Sequence, residues 1–234
     1  MTPMHNDGKR HLPLWLAVLC ALFSMTSCGE WFEFEEPGSV VPTSMTIDSH
    51  DIVLMVGDSL RLTPSFIPDS VSLKTVFWYA DSSGVASVHN GIVKALKPGE
   101  AKVLAVSVSG EQRDSCRVQV IDSWLFNKSA HYRYDMVVYA STRIDGLPEF
   151  SPDDYVLAAF VGDELRGVGV SRQAQGISYY EFRIYSNRPR GETVEIRAYR
   201  RNHTGVRLLT PTFAFDGETH GSLSHPEQLK VKQE

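Results

Sequence analysis

From Ser44 onward the chain shows no sustained helical period, and this most limits what it can fold into. Short runs of Val, Ile, Tyr, Phe and Thr are broken by Gly, Asp, Asn and Pro at intervals of about 8 to 12 residues, the spacing of sandwiches and barrels. Within the runs, apolar residues alternate with polar ones, so each strand has a buried and an outward face. The sequence therefore predicts an all-β fold.

In the first half, Met45-Thr46-Ile47 and Ile52-Val53-Leu54 read as strands, Val56-Gly57-Asp58-Ser59 as a turn, and Leu60 and Leu62 as inward positions. Val76 and Trp78 alternate, which places the Trp78 indole at the centre of a sandwich. Asn90-Gly91 is a hairpin turn because both residues accept positive φ. Pro98-Gly99 makes the next turn, and Ala101, Val103 and Ala105 alternate after it. The order "VGDSLRLTPSFIPD", "VFWYADSSGVASVHNGIVKALKPGEAKVLA" and "CRVQV" resembles the bacterial immunoglobulin-like domain of group 2 (BIG2). That resemblance implies an immunoglobulin-like β-sandwich over residues 44–121, used as a spacer or adhesive unit of surface proteins. Tyr79-Ala80-Asp81 stands where the family commonly has Trp-Ser-Ser.

The second half, residues 122–234, opens with Trp124 and Phe126, and its strands are expected at Tyr132–Tyr139, Tyr155–Val161, Tyr179–Tyr185, Val194–Tyr199 and Thr212–Phe215. "YRYDMVVYA", "DDYVLAAFVGDELRGVGV" and "TVEIRAY" resemble a β-sandwich module that recurs in secreted and surface proteins of Bacteroidetes, with Leu165 where that module often has cysteine. The resemblance implies a second β-sandwich and no particular activity.

The N-terminus sets the expected location. Lys9, Arg10 and His11 precede a nearly apolar run from Leu12 to Met25, the length of a signal-peptide core and short of the roughly 20 residues a spanning helix needs. Met25-Thr26-Ser27-Cys28 resembles a lipobox, which implies removal of residues 1–27 and lipidation of Cys28. Residues 28–43 then form an acidic tether carrying Glu30, Glu33, Glu35 and Glu36, similar to the export tracts of Bacteroidetes surface lipoproteins. The expected site of action is the outer membrane, lipid-anchored and facing out; an ordinary secretory leader is the alternative.

A net charge of −5 gives no reason to expect nucleic acid as a partner. Of three cysteines, Cys20 leaves with the leader and Cys28 takes lipid, so Cys116 remains without a disulfide partner. Alternation puts it with Val118 and Val120, as a small buried hydrophobe. No His-Glu-x-x-His, Cys-x-x-Cys or Gly-x-Ser-x-Gly is present, and His220 and His225 read as solvated loop residues. Glu149, Asp153, Glu181 and Glu195 offer carboxylates, but the sequence brings no two of them together. The sequence thus implies no cofactor, no metal and no enzyme.

Candidate binding residues come from the outward faces of the second module. With Tyr180, Phe182 and Ile184 inward, Tyr179, Arg183 and Tyr185 face out; with Val194, Ile196 and Ala198 inward, Arg197 and Tyr199 face out, and Tyr139 falls out by the same rule. Such a surface offers aromatic area and charge to a glycan or a surface protein. The plain alternative is that Glu pairs with Arg and Tyr with Tyr across strands. The arginine-rich stretches Arg188-Pro189-Arg190 and Arg200-Arg201-Asn202 read as loops at sandwich ends. The functional reading is an adhesion or binding protein with the first domain as spacer and the second as recognition domain. A structural or assembly subunit is the alternative, with a glycan-active enzyme as a third reading; the oligomeric state is not legible.

Overall fold

A computed structural model of the chain describes residues 39–109, 111–127, 131–147, 153–174 and 176–233, so the expected leader, Cys28 and the tether as far as residue 38 lie outside the described residues. The fold is all-β, as the alternation requires.

The first body contains β1 (Ser44–Ile47), β2 (Asp51–Met55), β3 (Ser59–Arg61), β4 (Pro64–Ile67), β5 (Val76–Ala80), β6 (Ala86–His89), β7 (Ile92–Ala95), β8 (Gly99–Ser107) and β9 (Arg113–Ile121). A four-stranded sheet in the order β2-β9-β8-β5 faces a three-stranded sheet, β3-β7-β6, with β1 and β4 paired separately. Ile52, Leu54, Leu62, Val93, Val103, Cys116 and Val118 are essentially sealed between the layers. Each large aliphatic side chain buried this way contributes about 1.5–3 kcal/mol. Asn90 and Gly91 both have positive φ and close the β6–β7 hairpin. A side chain at Gly91 would meet the Leu62 carbonyl at 2.7 Å and the Trp78 ring at 3.3 Å, so glycine lets the turn close over the indole. Trp78 itself is half-buried at the flank of this core, where the sequence places it at the centre. The turn of the β6–β7 hairpin, at the end of the opposite sheet, is what lies against it.

Asp114 ties β1 to this body. Its carboxylate accepts the Ile47 N–H at 2.8 Å and lies 2.9 Å from His50 Nε2. Burial alone would raise its pKa, but the N–H groups of Ile47 and Ser115 and the His50 ring outweigh burial and hold it below the usual carboxylate value.

The second body has β10 (Tyr134–Ser141), β11 (Tyr155–Val161), β12 (Glu164–Ala174), β13 (Ile177–Ser186), β14 (Thr193–Arg200), β15 (Val206–Ala214), β16 (Thr219–His220) and β17 (Lys230–Val231), joined as one sheet in the order β16-β10-β13-β12-β11-β14-β15-β17. The long strand β12 makes the corner. Its first part, to Val168, pairs with β11 and its second, from Gly169, with β13, and the β11–β12 ladder shifts register shortly before the change, where Ala159 and Phe160 lie against Gly167 and Leu165. The "GVG" of Gly167 to Gly169 is what the corner demands. A Cβ on Gly167 would collide with the Arg183 carbonyl, and one on Gly169 would lie 2.6 Å from the Phe182 ring. Bent this way, the sheet packs Met136, Val138, Phe182 and Ile184 from one half against Leu157, Val194, Ile196 and Leu209 from the other. The expected inward set Tyr180, Phe182, Ile184, Val194, Ile196 and Ala198 is buried throughout.

A joint links the two bodies. Met55, Trp124, Ala158, Phe160 and Tyr199 form a third apolar cluster. Around it, the Met55 N–H donates to Tyr199 Oη at 3.0 Å, the Val53 N–H to Thr204 Oγ1 at 2.8 Å, and the Gly205 N–H to the Val53 carbonyl at 3.1 Å. Asn202 N–H reaches Asp58 Oδ2 at 3.3 Å. The loop after Arg200, expected at a sandwich end, covers the open edge of β2.

Candidate functional site

Between β9 and β10 the chain runs across the outer face of the second body as a strap, residues 122–127. Its side chains alternate in fate: Trp124 is buried in the joint, Leu125 is 78% exposed, and Phe126 is half-buried on the other side. Trp124 meets Phe160 edge-on at 5.2 Å, and Phe126 stacks on Tyr185 at 5.2 Å with an interplanar angle of 18°. Two aromatic anchors thus pin the strap at either side of an exposed leucine.

Beside the strap lies a cleft of about 790 Å³, within the usual size range for small-molecule sites. Trp124, Phe126 and Phe160 give it apolar walls; Asp163, Glu164, Glu195 and Arg197 give it polar ones. Arg197 is held in several ways at once. Its Nη2 donates to the Gly162 carbonyl at 2.7 Å and to Glu195 Oε2 at 3.1 Å, Asp163 lies 3.6 Å away, and its guanidinium carbon sits 4.4 Å from the centre of the Phe160 ring. A guanidinium fixed on an aromatic face with carboxylates beside it is preorganised to meet polar groups of a ligand.

A charged network supports the strap from below. Arg166 is buried, donates to the Tyr185 carbonyl at 3.1 Å, pairs with Glu192 at 3.4 Å and Glu164 at 3.1 Å, and stacks over the Tyr132 ring at 5.1 Å. Ser186 donates to the same Glu192. Tyr132 donates to Glu164 Oε1 at 2.6 Å; burial first, then that carboxylate, hold its phenol above the usual value. Phe126, Tyr132 and Tyr185 form a three-ring group above Arg166.

The structure separates the residues that alternation grouped together. Arg197 lines the cleft, whereas Tyr185 is not part of its lining and stacks on Phe126, which is. Arg183 is exposed but paired with Asp135 at 2.7 Å, and Tyr139 meets Tyr179 edge-on at 5.6 Å, leaving Tyr179 only 7% exposed. Arg172 and Glu181 complete this laced face at 3.1 Å. Tyr199 is the clear correction. It does point away from the core of its own sheet, yet it is fully buried because the first body and Trp124 lie over it. Period-2 alternation tells which side of a sheet a residue takes, but not whether another element covers that side. The predicted lipidation site, Cys28, lies outside the described residues.

Trp124, Phe126 and Phe160 were not on the predicted surface. Phe160 carried the signal: with Leu157 and Ala159 inward, it is a large apolar residue facing outward. His220, read as a loop residue, lies in β16, half-buried against Phe213 and 3.2 Å from Asp216. Cys116 is fully buried, and its thiol is pushed up to about 11, by burial first and then by Asp51, Asp48 and Asp114. Among the described residues, no three His, Cys, Asp or Glu side chains are placed to hold a metal ion.

Residues 41–118 match the family model of the bacterial Ig-like domain (group 2). Among curated proteins, a 3-O-alpha-D-galactosyl-alpha-L-arabinofuranosidase of Bifidobacterium longum subsp. longum is 43% identical over 61 residues, 26% of this chain and 5% of that protein. An uncharacterised Clostridium acetobutylicum protein is 28% identical over 109 residues, covering 46% of this chain and 11% of its own length. The chain thus spans only a small part of these relatives. Solved structures with a similar course include domains 5-6 of the S-layer protein SbsC, at 12% identity, TM-score 0.30, 78% of this chain and 99% of that one. Another is SGBP-B of the Bacteroides ovatus mixed-linkage glucan utilization locus, in complex with a mixed-linkage heptasaccharide, at 14% identity, TM-score 0.22, 79% of this chain and 43% of that one.

Proposed function

With an Ig-like domain of group 2 at its N-terminal side, we propose that this chain is a surface-associated binding protein that takes a carbohydrate in the cleft beside the strap. One observation carries the reading: aromatic walls from Trp124, Phe126 and Phe160 converge with Glu164, Glu195 and Arg197 on a cleft of about 790 Å³. A sugar ring presents an apolar C–H face and an equatorial rim of hydroxyls. Aromatic rings take the first, while carboxylates and a fixed guanidinium take the second with charge-assisted hydrogen bonds. In this reading Cys28 and the acidic tether anchor the chain to the outer membrane with its folded part outside. The protein acts by binding and not by turnover.

The test is a glycan array probed with the full chain, followed by titration calorimetry on whatever binds. Binding of a neutral oligosaccharide that falls at least tenfold on Phe126→Ala or Glu195→Gln supports the reading. Binding that both variants keep places recognition elsewhere, and release of shortened sugars from a bound oligosaccharide would make the chain an enzyme. Anchoring is tested separately by labelling cells with a palmitate analogue: label that disappears in Cys28→Ala supports it, and label that stays contradicts it.

A further inference from the structure

The four-stranded sheet of the first body ends on one side in β2 and on the other in β5, and the two edges are treated differently. The β2 edge is closed by the loop after Arg200, which bonds both the N–H and the carbonyl of Val53. The β5 edge is the end of its sheet. The Val108 N–H donates to the Thr75 carbonyl and the Asp81 N–H to the Lys102 carbonyl, so the odd-numbered residues of β5 bond inward to β8. The backbone groups of Val76, Trp78 and Ala80 therefore point to the open side. Edge strands are normally blunted by lysine, proline or a bulge, and "VFWYA" has none of these. Instead it shows two aromatics outward, Phe77 at 48% and Tyr79 at 56% exposure, beside half-buried Val106 and Leu104 on β8.

From this edge we infer that β5 is a self-association site, pairing antiparallel with the β5 of a second copy of this chain about a two-fold axis through Trp78. The strand is complementary to itself in that register. Trp78 lies opposite Trp78 and Val76 opposite Ala80, which uses all three sets of open backbone groups; shifting the axis by one residue either way leaves one set unpaired. Phe77 then stands opposite Tyr79 of the second copy in the non-hydrogen-bonded positions, where side chains approach most closely, and the pair occurs twice. Because Phe77 neighbours Val106 and Tyr79 neighbours Leu104 on β8, each aromatic pair extends into a row of four apolar side chains across the joined sheets. An edge of five residues buries less than the roughly 1,000 Å² of a stable interface, so the dimer is a transient one. The inference is independent of the cleft and of any ligand.

Sedimentation of the full chain at rising concentration, up to about 1 mM, reads the association directly. The expected result is a monomer–dimer equilibrium weakened at least tenfold by Tyr79→Lys, which places a charge on the aromatic row at an exposed position without touching the core. Register is read by disulfide trapping: Phe77→Cys mixed with Tyr79→Cys cross-links on air oxidation faster than either variant alone, because 77 faces 79 and the like pairs lie diagonally. A chain that stays monomeric throughout, or a dimer that Tyr79→Lys leaves intact and that shows no preferred 77–79 trapping, overturns the inference.

Discussion

The second body has two outward faces built by the same alternation, and they end up in opposite conditions. On the half formed by β10, β13 and the end of β12, Arg183 pairs with Asp135, Arg172 with Glu181, and Tyr139 with Tyr179. On the half formed by β11, β14 and β15, the outward residues lie under other parts of the chain: Tyr199 under the first body, Phe160 under Trp124 and Arg197. The first face uses its polar groups and rings on one another. The second is only partly covered, and the uncovered remainder is the cleft. Both faces pair charges within themselves, Arg197 with Glu195 among them, so what separates the two is cover. A face covered by a strap acquires walls, depth and fixed polar groups, which is what a binding site needs.

Breaking this comparison should cost most where the cover is. Tyr199→Ala removes a fully buried ring at the joint, and chemical denaturation should show a loss of about 3–5 kcal/mol. Tyr199→Phe keeps the ring but strands the Met55 N–H, with an expected loss of about 1–3 kcal/mol. If Tyr199 were the surface residue that alternation alone suggests, both changes would be nearly silent.

The next effect in size is on recognition. Phe126→Ala combined with Glu195→Gln should weaken a bound oligosaccharide about 10- to 100-fold, which is roughly 1.4–2.7 kcal/mol, as read by calorimetry. The unfolding midpoint should move far less than in Tyr199→Ala.

Acid response calibrates both faces from outside them. Asp114 has a native pKa below its ordinary value of 3.8, so the folded chain binds fewer protons than the unfolded one in the window beneath 3.8. The stability it lends is full above about pH 4 and is lost as the pH falls through the lowered native value. Asp114→Asn should be less stable than the parent near neutral pH and should flatten that acid limb, measured as unfolding midpoints between about pH 2 and pH 6.

The smallest expected effect belongs to the laced face. Arg183→Ala breaks an exposed ion pair, and its stability change should stay within about 0.5 kcal/mol, with binding at the cleft unchanged.

Most of the strands, the Asn90-Gly91 turn, the buried Cys116 and the inward set from Tyr180 to Ala198 were legible in the sequence because each depends on local chemistry: period-2 alternation, positive φ, burial of small apolar groups; β12, interrupted by Gly167 and Gly169, was not among the expected strands, and only the end of β15 was. The corner at Gly167–Gly169 was visible as a phrase, but its reason was not, since the colliding Arg183 carbonyl and Phe182 ring belong to another strand. The site was half legible. Arg197 was identified, while Trp124 and Phe126 looked only like the start of a domain. Their role depends on a strap crossing the sheet, and Tyr199 was misplaced because its cover comes from Met55, 144 residues earlier, and from Trp124 in the strap. Both errors concern contacts between elements distant in sequence, on which alternation is silent.

We place recognition on the covered face and not on the laced one. The most direct test is one glycan array probed in parallel with the full chain, with the Phe126→Ala/Glu195→Gln chain and with the Tyr139→Ala/Arg183→Ala chain. Binding by the first, loss in the second and retention in the third are the expected results. Retention in the second with loss in the third would contradict this placement and return the site to the laced face.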